Sequence, residues 1–96
     1  MTEFEKRVYE IVKTIPKGSV LTYGEVAIRL GNKNLARAVG NALNKNPNPA
    51  EIPCHRIVNK NYMISENFKF GGAGAQQKLL EQEGLKIINK KVVYFK

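Results

Sequence analysis

The sequence predicts a small, mainly α domain of winged-helix type, built on a helix-turn-helix with a short β element. Three observations carry this. Apolar residues recur at helical spacing in several separate segments. Two of those segments are short, adjacent and divided only by a polar turn, which is the helix-turn-helix pattern over about residues 22–45. The chain then closes on two short apolar runs around Asn89-Lys90, a terminal hairpin in the position of a wing. At 96 residues the chain is expected to be one domain, with a modest core and no room for a separate cofactor domain.

The first helix follows from Phe4, Val8, Ile11, Val12 and Ile15, which fall on one stripe. Thr2 is its N-cap, with Glu5 placed three residues on as in a capping box. Pro16-Lys17-Gly18 stops it. Thr22 caps the second helix, Tyr23 to Leu30, with Glu25 again at the third helical position, and Gly31-Asn32 ends it. After the polar turn 32–34, a helix from Leu35 to Asn44 carries Leu35, Val39 and Leu43 on one face, with Ala36 and Gly40 displaced from it. Asn46-Pro47-Asn48-Pro49 ends that helix, because each proline biases the residue before it away from helix. Ile57-Val58 reads as a short strand, and 59–69 as a polar loop punctuated by Tyr62, Met63, Ile64 and Phe68. A last helix is expected from about Ala75 to Glu83, with Leu79 and Leu80 inward and Gly84 as its stop. The hairpin takes Leu85 to Ile88 and Val92 to Phe95.

The helix at 35–44 is bare for a helix that reads bases. Arg37 is its one long cation, and its outward positions, Ala36 and Gly40, are small. Glycine inside a helix costs about 1 kcal/mol relative to alanine, so Gly40 calls for a reason. Close approach of the backbone to a duplex is one such reason; tight helix-helix packing is the other.

Composition narrows the function classes. Hydrophobic residues make up 43% and charged residues 25% of the chain, as in a folded globular protein. Sixteen Lys and Arg against eight acidic residues give a net charge of +8, which suits a polyanionic partner, nucleic acid most simply. A single cysteine makes no internal disulfide, and it excludes two-cysteine redox chemistry and cysteine-rich zinc sites. With no signal peptide and no apolar run of about 18 residues, the expectation is a cytoplasmic protein with a free thiol and no membrane association. The Gly71-Gly72-Ala73-Gly74 run has neither Walker nor Rossmann spacing around it.

The one cysteine and the one histidine are neighbours, in Ile52-Pro53-Cys54-His55-Arg56. A thiolate is the strongest common protein nucleophile, and its population depends on a neighbour that takes or offsets the proton. A cysteine beside a histidine is more often a small buried hydrophobe than a nucleophile. Here the surrounding motifs favour the nucleophile.

Ala36-Arg37-Ala38-Val39-Gly40, Asn46-Pro47, Ile52-Pro53-Cys54-His55-Arg56-Ile57-Val58, Gly71-Gly72 and Leu79-Leu80-Glu81-Gln82-Glu83-Gly84 together resemble the C-terminal catalytic domain of the O6-alkylguanine-DNA alkyltransferases, also called methylated-DNA–protein-cysteine methyltransferases. The resemblance spans nearly the whole chain, and it implies a helical domain with a helix-turn-helix and a short β element. It also implies an activity: direct-reversal DNA repair, in which the alkyl group of O6-alkylguanine, or of O4-alkylthymine, moves irreversibly to Cys54 in a single turnover. The partner implied is double-stranded DNA bound through its minor groove with a nucleotide rotated out, the protein acting as a monomer without a cofactor.

Carried over residue by residue, the resemblance gives Cys54 as the alkyl acceptor, with His55 and Glu83 completing a Glu-His-water-Cys chain. Asn46 resembles the hinge asparagine that ties the end of the recognition helix to the active-site turn at 52–58. Tyr23 corresponds to the tyrosine that helps rotate the nucleotide and gives a proton to guanine N3. Arg37 corresponds to the finger that enters the vacated stack. Leu43 and the backbone of Cys54 and Ile57 form the base pocket, Arg56 is placed with the binding residues, and Ala36 and Gly40 let the helix lie in the minor groove. Glu83→Gln is expected to leave the fold largely intact while slowing transfer.

One region departs from the family pattern. Where a tyrosine usually precedes the paired glycines, the chain has Asn67-Phe68-Lys69-Phe70-Gly71-Gly72, so no side chain is identified that would bond O6 of the base. Backbone donors from Phe70 to Ala73 are the expected substitutes. Three other classes compete with this reading. A non-catalytic alkyltransferase-like lesion binder lacks the cysteine that this chain has. A winged helix-turn-helix regulator has no cause to combine Cys54-His55 with Glu83. A cysteine hydrolase is disfavoured because adjacent residues make poor direct dyad partners.

Overall fold

Two capping boxes start the helical half of the molecule. In the computed structural model, which describes residues 1–66 and 68–94, Thr2 and Glu5 exchange hydrogen bonds of 3.1 and 2.9 Å at the head of α1 (Glu3–Lys13). Thr22 and Glu25 do the same, at 3.0 and 2.9 Å, at the head of α2 (Tyr23–Arg29). Each box satisfies N–H groups that a helix start leaves open. Gly31 and Gly84 end α2 and the fourth helix in the left-handed region, at φ 101 and 94°, so that Asn32 and Leu85 donate back to Ala27 and Leu80. The turn after α2 is a stretch of 3₁₀ helix, Lys33–Leu35, capped by Asn32, and it leads into α3 (Ala36–Leu43). The helix-turn-helix therefore stands where the sequence places it.

The β structure is smaller and differently connected. Leu21–Thr22 (β1) pairs in parallel with Ile57–Val58 (β2), a partner for the expected strand that no periodicity over two residues could announce. Lys86–Ile88 (β3) and Lys91–Tyr94 (β4) form the antiparallel hairpin, turning at Asn89 and Lys90 with φ 50 and 67°. The punctuated loop has a use for its apolar residues: Ile64 N–H donates to Lys90 O and Val92 N–H to Tyr62 O, docking 62–64 against the hairpin. The fourth helix, α4 (Gly72–Gln82), starts three residues earlier than expected. Leu80 is fully buried, whereas Leu79, expected inward, is 36% exposed. Asn67 of the departing loop and Phe95 of the expected hairpin lie outside the described residues.

The core has two parts. One joins α1, α2 and α3 through Val8, Tyr9, Val12, Val26, Val39 and Leu43, and reaches Ile52, Cys54 and Ile57. The other joins α4 and the hairpin through Val58, Ile64, Leu80, Ile87 and Val92. Successive residues of a strand face opposite sides, so Ile57 enters one cluster and Val58 the other. The active-site turn thus sits on the seam between them.

Tyr9 ties α1 to α3 across the first cluster, its buried hydroxyl donating to the Ala42 carbonyl at 2.6 Å. Tyr9→Phe removes that donor and little else, so it should lower unfolding stability by about 1 kcal/mol, read as a shifted midpoint with an unchanged denaturant slope.

Candidate active site

Cys54, His55 and Arg56 form one turn of 3₁₀ helix immediately before β2. Consecutive residues in such a turn point in different directions, and the three side chains reach different neighbours. The Cys54 thiol faces a small cavity of about 30 Å³ lined by Tyr23, Leu43, Ile57, Phe68 and Lys69, among others. His55 and Arg56 line a different, larger cavity of about 420 Å³, which opens between Pro53, Phe70, Leu79 and Glu83. No direct hydrogen bond joins Cys54 to His55.

The carboxylate of Glu83, at the end of α4, receives both neighbours. His55 Nε2 donates to Oε2 at 2.9 Å, and Arg56 donates to both oxygens, at 2.9 Å from Nε and 2.7 Å from Nη2. Because a carboxylate only accepts, the imidazole carries its proton on Nε2 and leaves Nδ1 as an acceptor when neutral. Burial alone would raise the Glu83 carboxyl, but the hydrogen bonds from Arg56 and His55 outweigh it and hold the group below its ordinary value of 4.5. Arg56 also donates from Nη1 to the Ile15 carbonyl at 2.7 Å, which fixes the turn to the end of α1. Arg56, expected among the binding residues, therefore turns inward and serves as an anchor.

Asn46 has the hinge geometry. It is 2% exposed, its Nδ2 donates to Ile52 O at 2.9 Å, and its Oδ1 accepts from Asn48 N–H at 2.9 Å. The same amide favours the ionised form of the nearby Cys54 thiol. Burial pushes the thiol above its ordinary value of 9.0, while the Asn46 amide, a backbone hydrogen bond and the Lys69 charge pull partly against it. The resting group is a neutral thiol.

Gln76 is the site residue that sequence reasoning missed. On α4 and 1% exposed, it donates from Nε2 to the carbonyls of His55 (3.0 Å) and Ile57 (2.9 Å) and accepts from Ser65 N–H at 2.8 Å. It lies between Ala73 and Leu80 on the buried face of its helix. A glutamine on an apolar stripe was the available signal.

Of the expected base-pocket residues, Leu43, Cys54 and Ile57 do line the Cys54 cavity. The carbonyls of Cys54 and Ile57 each accept a hydrogen bond, from Ile57 N–H and Gln76 respectively. Tyr23 lines the cavity too, and its phenol has no protein hydrogen-bond partner among the described residues. Burial, followed by the nearby Cys54, raises its proton affinity. Of the expected backbone donors at 70–73, Gly72 N–H is taken by Phe68 O. Ala36, Arg37, Gly40 and Asn41 line a shallow groove of about 350 Å³ along α3, which shares Tyr23, Asn44 and Ser65 with the Cys54 cavity. A Cβ added to Gly40 would come no closer than 3.7 Å, to the Tyr23 ring, which is ordinary contact. Internal packing therefore does not demand a glycine at this position.

Among the described residues no group of three or more His, Cys, Asp or Glu could hold a metal ion, and no helix is long and apolar enough to cross a membrane.

Glu83 carries more of the fold than its role beside His55 suggests. Glu83→Gln leaves the mostly buried Arg56 without its counter-charge, so the expectation of a largely intact fold is revised to a loss of about 2 kcal/mol, or roughly 10 °C in midpoint. The sign with pH follows from the lowered carboxyl. Its contribution is present above 4.5 and is lost as pH falls through the folded-state value. Melts of wild type and Glu83→Gln should therefore differ most near neutrality and converge in acid; a gap independent of pH would contradict this assignment.

The sequence matches the family described as the 6-O-methylguanine DNA methyltransferase DNA-binding domain over residues 3–85. A methylated-DNA–protein-cysteine methyltransferase of Methanothermobacter thermautotrophicus is 41% identical over 86 residues, 90% of this chain and 47% of that protein. The chain spans about half the length of the curated relatives it matches. The crystal structure of S. pombe Atl1 in complex with damaged DNA containing O6-carboxymethylguanine superposes with a TM-score of 0.81 at 39% identity, covering 92% of this chain and 82% of that one. Mycobacterium tuberculosis O6-methylguanine methyltransferase gives 0.77 at 37% identity, covering 86% of this chain and 49% of its own. With a matching fold, a buried Pro-Cys-His-Arg turn and a family match over most of its length, the chain belongs to the 6-O-methylguanine DNA methyltransferase DNA-binding domain family.

Proposed function

We propose that this chain repairs DNA by accepting the alkyl group of O6-alkylguanine onto Cys54, once and irreversibly, from a nucleotide rotated out of a duplex bound along α3. The observation that carries this reading is the position of the thiol. It lines a cavity that shares Tyr23, Asn44 and Ser65 with the α3 groove, in a turn tied to Asn46 through Ile52, one residue from a histidine hydrogen-bonded to Glu83.

The chemistry follows from these groups. Cys54 Sγ attacks the alkyl carbon as the C–O6 bond breaks, and the bond's electron pair leaves with the base. The thiol proton passes through a bridging water to His55 Nδ1, and the Glu83 carboxylate stabilises the imidazolium that results. Tyr23, whose phenol has no protein partner among the described residues, supplies a proton to the departing guanine at N3. The product is a thioether, which no group in the cavity is equipped to hydrolyse. Since a space of about 30 Å³ holds a water but no purine, the lining side chains must part to admit the base.

Binding is the task of the α3 face. Arg37 is exposed and no carboxylate pairs with it among the described residues, so it is available to fill the gap that a flipped nucleotide leaves. Ala36 and Gly40 keep the face low enough for a minor groove, where readout is degenerate and repair is indifferent to sequence. A lesion binder without chemistry would share this face. The thiol, together with the His55-Glu83 pair, favours the acceptor.

Incubation with duplex oligonucleotide carrying O6-methylguanine should add at most one methyl per chain, located at Cys54 by mass spectrometry, and none to Cys54→Ser. Multiple turnover would sink this reading. Gly40→Ala separates the two roles of α3 by sign: it should stabilise the free protein by about 0.5–1 kcal/mol while weakening duplex binding. Unchanged affinity would remove α3 from the interface.

A further inference from the structure

Lys69 lines the Cys54 cavity, and the mechanism above makes no use of it. Its ammonium donates a long hydrogen bond, 3.4 Å, to the Asn46 carbonyl and lies 5.4 Å from the Phe70 ring centroid. Neither neighbour is a counter-ion, and among the described residues no carboxylate pairs with it. Asn46 bonds Ile52, two residues before Cys54, through its side chain and the ammonium through its backbone carbonyl, so one residue keeps the ammonium beside the turn that carries the thiol. The other lining residues, Tyr23, Leu43, Ile57 and Phe68 among them, carry no charge at neutral pH.

An ammonium at this position does little for a methyl group, which offers it neither charge nor acceptor. A carboxymethyl group is different. Its carboxylate sits one bond beyond the carbon that Sγ attacks, so two anions, thiolate and carboxylate, meet as the bond forms. Like charges at that range disfavour the encounter, and a cation beside both offsets it. Lys69 is exposed in the free protein, but a purine filling the cavity displaces water and strengthens the interaction.

We propose that Lys69 makes this pocket selective for O6-alkyl groups that bear an anionic substituent, carboxymethyl being the simplest, over neutral alkyl groups. The step is the one already described: the S–C bond forms, the C–O6 bond breaks with its electron pair going to the base, and the thiol proton goes to His55. The carboxylate is held and unchanged, and the product is S-carboxymethylcysteine. The proposal rests on the acceptor reading of Cys54.

The test compares two duplexes that differ only in carrying O6-carboxymethylguanine or O6-methylguanine, with transfer to Cys54 followed by mass spectrometry. Lys69→Met should lower the carboxymethyl-to-methyl rate ratio at least roughly tenfold, as expected when a charge-assisted hydrogen bond is lost, and Lys69→Arg should keep most of it. Added salt should lower the ratio in wild type and leave it unchanged in Lys69→Met. Equal slowing of both substrates would overturn the proposal, since Lys69 would then be serving the thiol or the DNA backbone; an unchanged ratio would overturn it as well. A binding comparison in Cys54→Ser tests the pocket apart from the chemistry. There, preference for the carboxymethyl duplex that Lys69→Met abolishes supports the proposal even if wild type transfers neither group, which would defeat the acceptor reading alone. No preference in Cys54→Ser would count against Lys69.

Discussion

Arg56 donates three hydrogen bonds, two to Glu83 and one to Ile15, and through them the active-site turn is fixed to the ends of both α4 and α1. The rest of the seam is thin. The parallel sheet across it is two residues long, and the apolar clusters on either side contact different faces of that strand. A pair of charges with this little exposure loses hydration that its attraction only partly restores, so its value lies more in orientation than in net stability. Gln76 adds two hydrogen bonds that hold the same turn from the α4 side, and accepts a third from Ser65 N–H. Because Glu83 serves both Arg56 and His55, the group that sets the angle of the turn also sets the tautomer of the histidine. The anchor of the turn and the orientation of the histidine share one carboxylate, and neither can be removed without disturbing the other.

The distribution of acids explains why a moderate basic excess still leaves one face free of negative charge. Glu5 and Glu25 close capping boxes, Glu83 holds Arg56 and His55, and Glu66 pairs with Lys90. From Gly31 to Ala50 the chain has no acidic residue at all. Lys33, Arg37 and Lys45 therefore stand on a stretch where, apart from the Lys45-Glu5 pair, no carboxylate offsets them among the described residues. The net charge of +8 is a weak signal taken alone. The lack of acids along α3 is a stronger one, because phosphate attraction depends on local potential.

The helices were legible because their signals are local. Thr2-Glu5 and Thr22-Glu25 announce starts, Gly31 and Gly84 announce stops, and the intervening apolar spacing determines the buried faces. The pairing of Leu21 with Ile57 was not legible, since two residues have no period and the partner lies far along the chain. Arg56 and Gln76 were misjudged or missed for a related reason. A cation beside a cysteine looks available for a ligand until the position of Glu83 is known, and a buried glutamine is recognised only once the carbonyls it must satisfy are in place. Leu79 shows the limit of composition: two adjacent leucines cannot both face inward on a helix, and Leu80 takes the core. Lys69 is legible only as a departure from the family pattern. Its neighbourhood had to come from the fold.

A neutral resting thiol fits the proposed single use. A cysteine that can react only once is wasted by any stray electrophile or oxidant, and both act on the thiolate. Burial keeps that form scarce in the resting site. The cavity works the same way. It is too small for a purine until its lining parts, so reactivity and access depend on the same event, the arrival of a base. In this reading the site is selective because it is closed and its thiol protonated at rest, and DNA carrying a rotated nucleotide is the ligand able to change both conditions at once.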